Sequence, residues 1–219
     1  MTQAVVLLDW HRTLSHSLFW GHWSGSQDAA RREAATRLAD ACFGGDGTVL
    51  ASWTRGDMTA EAVIAAVAAS AGVDPLLALD GLAESCAQME FASPGILPLV
   101  GRLRAGGVRV GIATDNMDTF MRWTVPAMEL RDAFDPILSS AELRALKAGP
   151  LDATGESPFF GALLADLAPG THVYLVDDGA DTAPVAEAVG IAFCHVTPER
   201  DVVAWLEMLA AELLPTRVS

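Results

Sequence analysis

Apolar residues along the chain fall into two kinds of run. Four are short, largely β-branched, and bounded by glycine, proline or acidic residues: Ala4–Leu8, residues 108–113, residues 172–176 and Ile191–His195. Short runs without polar alternation are what strands buried on both faces require. Between them the apolar positions recur at helical spacing. This predicts helices over Ile96–Ala105, stopped by Gly106-Gly107, and over residues 157–167, with Pro158 in the first turn. Two more are predicted over residues 184–189, before Gly190, and residues 200–214, before Pro215. Strand and helix in alternation predict an α/β, Rossmann-like core around a parallel sheet.

Residues 15–91 carry few strand signals and several helix starts. Ser26 is placed to cap a helix over residues 27–42, Thr59 one over Ala60–Ala71, and Asp74-Pro75 opens one running to about residue 91. Gly44-Gly45-Asp46-Gly47 reads as the turn between the first two. The predicted organisation is a core of residues 1–14 and 92–219, with an all-helical insert over residues 15–91 that re-enters the core through Ser93-Pro94-Gly95.

Composition narrows the function. The chain's 219 residues suffice for one sizeable domain with a smaller insert. A charged fraction of 19% against 51% hydrophobic excludes a disordered chain. The mean hydropathy of +0.31 comes mostly from scattered alanine and valine, and no apolar run reaches membrane-spanning length. A net charge of −14 makes a nucleic acid or an anionic membrane a poor partner. An anionic substrate would need that field reversed locally, by a cationic cluster or a bound metal. Cys42, Cys86 and Cys194 are scattered, and Met1-Thr2-Gln3 lacks a basic leader, so the expected compartment is the reducing cytoplasm.

In open parallel sheets, ligands bind beyond the carboxyl ends of the strands. The first strand is followed by Asp9-Trp10-His11-Arg12-Thr13, the second by Thr114-Asp115-Asn116, and the run over residues 172–176 by Asp177-Asp178-Gly179-Ala180-Asp181. Between the last two lies Lys147, the one lysine in the sequence. A nucleophilic carboxylate, a hydroxyl, an ammonium and a carboxylate pair suit phosphoryl transfer with a divalent cation, and all-oxygen ligation favours Mg²⁺.

These four segments, in this order, resemble the motifs of haloacid dehalogenase-like (HAD) hydrolases with a helical cap. Asp9-Trp10-His11-Arg12-Thr13 is similar to the first motif, Asp-x-Asp-x-Thr. Gly111-Ile112-Ala113-Thr114 corresponds to the second, Lys147 to the third, and Leu175-Val176-Asp177-Asp178 to the Asp-Asp form of the fourth. The resemblance implies a hydrolase that removes phosphate from a small phosphorylated metabolite. Asp9 would become phosphorylated, and Thr114 and Lys147 would hold the transferring group. Asp9, Asp177, Asp178 and the His11 backbone carbonyl would ligate Mg²⁺, with Thr13 and Asp181 behind them. Substrate contacts are expected from Arg12, Asn116 and Trp20.

The chain departs from the motifs at His11, where phosphatases of the family carry a second Asp as acid and base. Imidazole can do that work near neutral pH; it can also serve as a substrate contact or mark lost activity, leaving a binding or regulatory protein. Arg12 replaces a common glycine, either to clamp a substrate anion or to pair with a surface carboxylate. Lys147 is followed by Ala-Gly-Pro and an extra stretch over residues 151–156. The insert has no lysine, which argues against Schiff-base phosphonatase chemistry. Metal-independent dehalogenation through Asp9 is the competing enzyme reading, although it leaves Asp177-Asp178 as adjacent repelling carboxylates. His16, Trp20, His22 and Trp23, just after the first motif, are placed either to line a pocket or to join insert to core.

Overall fold

The computed structural model describes residues 3–215; the ends of the expected core, residues 1–2 and 216–219, lie outside them. Five strands form one parallel sheet: β1 (Ala4–Leu8), β2 (Arg109–Thr114), β3 (Ile137–Ser139), β4 (His172–Asp177) and β5 (Ile191–His195). Their order is β3-β2-β1-β4-β5. The central strand β1 is buried throughout and pairs Leu8 with Ile112 on one side and with Val176 on the other. Val6 and Leu8 belong to one apolar cluster with Val100, Leu103, Leu206 and Leu209. Val5 and Leu7 belong to a second with Phe159, Phe160, Leu163 and Leu175. Alternate residues of β1 therefore serve helices on opposite faces, which is why the run is apolar without interruption. The chain departs from β1 toward β2 on one side and returns at β4 on the other, so the ends of β1 and β4 flank the crevice where such sheets bind ligands.

Between β1 and the core helix α6 (Ile96–Ala105) every regular element is helical: α1 (Gly21–Ser24), α2 (Ala29–Phe43), α3 (Thr48–Thr54), α4 (Ala60–Ala71) and α5 (Pro75–Ala87). Later come α7 (Val125–Ala127), α8 (Leu130–Ala133), α9 (Ser140–Leu143), α10 (Gly161–Asp166), α11 (Ala183–Ala188) and α12 (Val202–Leu213), with a π-helical turn over Phe120–Thr124. The expected cap Thr59 accepts from Ala62 N at 3.4 Å, and Asp74 accepts from Leu77 N at 3.0 Å ahead of Pro75. For α2 the cap is Asp28, accepting from Ala30 N at 2.9 Å, because the Ser26 hydroxyl is engaged by Asp28 N. Helix α5 ends at Ala87, short of residue 91.

Polar contacts tie the helical segment to the loops after β2 and β3. Asp118 accepts from Trp53 Nε1 at 2.7 Å and from Ala60 N at 3.3 Å, while Arg122 bonds Glu61 and Asp118 together. Ser140 Oγ donates to Thr54 O at 2.7 Å. Trp20 is fully buried, and its Nε1 donates to Ala78 O at 2.9 Å in α5. No helix among the described residues is long and apolar enough to cross a membrane.

Candidate active site

The ends of β1 and β4 deliver Asp9 and Asp177 side by side, and Lys147 lies between them. Its Nζ donates to Asp9 Oδ1 at 2.7 Å and to Asp177 Oδ2 at 2.6 Å, with all three residues buried. The extra stretch after Lys147 thus does not keep it from the site. Burial pulls the ammonium toward neutrality, but the charges of Asp9, Asp177 and Asp115 outweigh it and hold Lys147 firmly protonated. Burial pushes the Asp177 carboxyl up, with the Lys147 charge pulling the other way and Asp9 adding to the rise. Asp178 completes a trio: Asp9, Asp177 and Asp178 each offer an oxygen within 4.8 Å of the others. The turn after β4 is drawn in by Gly179 N, which donates to Asp177 Oδ1 at 2.7 Å. A Cβ on Gly179 would sit 3.1 Å from oxygens of Asp177 and Asp181, so the exposed Asp181 stands immediately behind the pair.

The loop after β1 folds back on itself. Arg12 N donates to Ser15 O at 2.7 Å and Ser15 N to Trp10 O at 2.8 Å, with Arg12 at φ +63°. That left-handed conformation is the physical reason a glycine suits the position. The 71% exposed Arg12 side chain pairs with Asp178, Nε to Oδ2, at 3.3 Å. Of its two expected roles, the structure shows pairing with a carboxylate. The His11 carbonyl takes no hydrogen bond among the described residues, and its side chain is exposed.

The hydroxyls of Thr13 and Thr114 are buried without a hydrogen-bond partner. Such a group costs about 1–3 kcal/mol when left unmade, so an acceptor from a ligand at the end of β2 would recover it. Asn116 is buried; its Oδ1 accepts from Met117 N at 2.9 Å, and its backbone N donates to Ser140 Oγ at 2.9 Å. Asp115 belongs to the same cluster although nothing in its sequence context separated it from a helix cap. Its Oδ1 accepts from Lys147 N at 3.0 Å, fixing the loop that presents the ammonium. Burial, partly offset by Lys147, pushes its carboxyl up to about 6.

Beside this cluster opens a cavity of about 490 Å³. Trp10, His11, Asp115, Asn116 and Met117 line it, as do Phe19 and Phe43. A smaller cavity of about 300 Å³ is lined by Arg12, Thr13, His16 and Asp178, among others. Trp20 lines neither. The expected contact at Trp20 is corrected: a large indole whose N–H finds a carbonyl in α5 is a core residue joining two helices.

The sequence matches no protein-family model and no curated protein. Solved structures do match the fold. An L-2-haloacid dehalogenase from Xanthobacter autotrophicus, with chloropropionic acid covalently bound, superposes with a TM-score of 0.59 at 15% identity, over 99% of this chain and 85% of that one. A HAD family enzyme from Bacteroides thetaiotaomicron, in complex with magnesium and inorganic phosphate, gives 0.63 at 15% identity over 91% and 96%. A predicted HAD-like hydrolase from Porphyromonas gingivalis gives 0.64 at 16% identity over 99% and 100%. With its parallel five-stranded core and its helices inserted after the first strand, the chain has the HAD-like fold.

Proposed function

We propose that the protein is a HAD-like hydrolase that removes phosphate from a small phosphomonoester through Asp9, with Mg²⁺, the helices over residues 15–91 acting as its cap. The observation that carries this reading is three carboxylates converging on one buried ammonium. Asp9, Asp177 and Asp178 lie within 4.8 Å of one another, and Lys147 bonds directly to only two of them. Asp178 is half-buried and pairs with the largely exposed Arg12, a contact that solvent weakens, so three carboxylates this close still favour a further cation between them. Oxygen ligands alone suit Mg²⁺, and the unbonded His11 carbonyl beside Asp9 fits the same group. These residues would hold it, and once bound it would neutralise charge on the non-bridging phosphoryl oxygens.

The chain's own residues account for the rest. Lys147 holds Asp9 Oδ1, leaving the other carboxylate oxygen to attack phosphorus. As the Asp9 oxygen–phosphorus bond forms, the bond to the leaving oxygen breaks and His11 gives that oxygen a proton. Water then attacks phosphorus, His11 takes back a proton, and phosphate leaves a free Asp9. The Thr114 hydroxyl donates to the phosphoryl group and gains the partner it lacks. Wild-type protein incubated with phosphomonoesters should release phosphate in Mg²⁺, not in chelator, and Asp9→Asn should release none. Release that survives Asp9→Asn would overturn the proposal.

Metal-free dehalogenation is favoured by one observation: Lys147 already bridges Asp9 and Asp177. A haloalkanoate, however, would bring a carboxylate into a cavity where His11 is the one basic residue among those lining it. Halide release from such a substrate in chelator would establish the alternative.

A further inference from the structure

The larger cavity says what the leaving group is made of. Resting on the hydrolase reading above, we infer that the substrate is a phosphomonoester whose alcohol part is a hydrocarbon chain or ring with no second anionic group. The cavity of about 490 Å³ is lined by His11 and Asp115, by residues of the loop after β1 and by one face of helix α2. Its wall is built from Phe19, Phe43, Leu18, Met89 and Met117, with Ala35 and Ala39 keeping the face of α2 low. No arginine or lysine lines it, and two carboxylates do, Asp40 and Asp115. A bisphosphate or a phosphorylated acid would place its second charge against those carboxylates, in a molecule of net charge −14. Two of its lining residues are large, apolar and exposed, Leu18 at 63% and Phe43 at 42%. Large apolar side chains left exposed around a pocket offer surface for a ligand to cover.

The test is calorimetric binding of non-hydrolysable alkylphosphonates, methyl to hexyl, to the wild-type protein in Mg²⁺, with 5-carboxypentylphosphonate as the charged comparison. Affinity should rise about threefold to fourfold per methylene, and hexylphosphonate should bind at least tenfold more tightly than its carboxylated counterpart. Phe43→Ala, at a half-exposed helix end, should weaken hexylphosphonate severalfold and leave methylphosphonate unchanged. Affinity independent of chain length, tighter binding of the carboxylated ligand, or no binding by any of the series would overturn the inference. Phosphate release from the matching esters, methyl to hexyl phosphate, is measured in parallel. Chain-length-dependent binding without release would refute the hydrolase reading and keep the apolar ligand class; release from all esters without chain-length dependence would do the reverse.

Discussion

Lys147 is the residue on which the cluster depends. It has no exposed surface to gain from and two buried carboxylates to hold apart, so its removal leaves like charges facing each other. Lys147→Met should destabilise the fold by about 3–5 kcal/mol in chelator, as for a broken buried pair, and by less in millimolar Mg²⁺; urea denaturation in both conditions measures it. Asp115 gives a pH signature. Its carboxyl titrates at about 6 in the folded protein, above the value of 3.8 expected unfolded, so ionising it costs folding free energy. Its contribution is complete below pH 3.8 and lost as the pH rises through 6. Asp115→Asn should therefore remove a decline in stability between pH 4 and 6 that the wild type shows. Asp9 and Asp177 were legible as candidates because they stand at predicted strand ends, and Lys147 because it is the one lysine in the sequence and lies between two of those ends. Asp115 was not: its role is to accept from the backbone of a residue 32 positions away, and no local pattern carries that. Trp20 failed for a related reason, since an indole beside a pocket and one inside a helical core look alike until the partner of its N–H is known.

At the scale of elements, four of the five strands were legible because each is a short, mostly apolar run, within a residue or so of its final bounds. Strand β3 was not, being three residues long and only partly buried, too short for any period. Helix α3 was hidden by its start: Gly47, at φ +79°, precedes it with no capping side chain. The helix predicted from residue 157 begins at Gly161, because the Ser157 hydroxyl accepts from Phe159 N and Phe160 N and holds a turn there. Helix packing in the insert rests on one small residue. A Cβ at Gly81 in α5 would run into the indole of Trp23 from α1, both buried. Gly81→Ala raises intrinsic helix propensity yet should destabilise the protein by about 1–3 kcal/mol through overpacking. Thermal denaturation of the variant checks the sign: a higher melting temperature would mean that α1 and α5 do not meet this way.

For the whole molecule, the sheet brings the carboxylate cluster together and the segment after β1 supplies part of the wall of the neighbouring cavity. The sheet order puts β1 and β4 side by side, so that residues 168 positions apart in sequence, Asp9 and Asp177, share one lysine. The segment after β1 supplies Phe19, Met89 and, from α2, Phe43 to the cavity wall, and its helices supply Trp53, Glu61 and Thr54 to the contacts that join them to the core. Strong negative charge overall and a single buried ammonium in the cluster are the reasons the proposed reaction is assigned an added cation. In the proposed reaction Asp9 carries the phosphoryl group between substrate and water. Rapid acid quenching during turnover of hexyl phosphate in Mg²⁺, followed by peptide mass analysis, tests it directly. The peptide containing Asp9 should carry one added phosphoryl group, more of it in His11→Ala, where water lacks its base, and none in Asp9→Asn. Phosphate release with that peptide unmodified at every time point, or a phosphoryl group found on another residue, would contradict it.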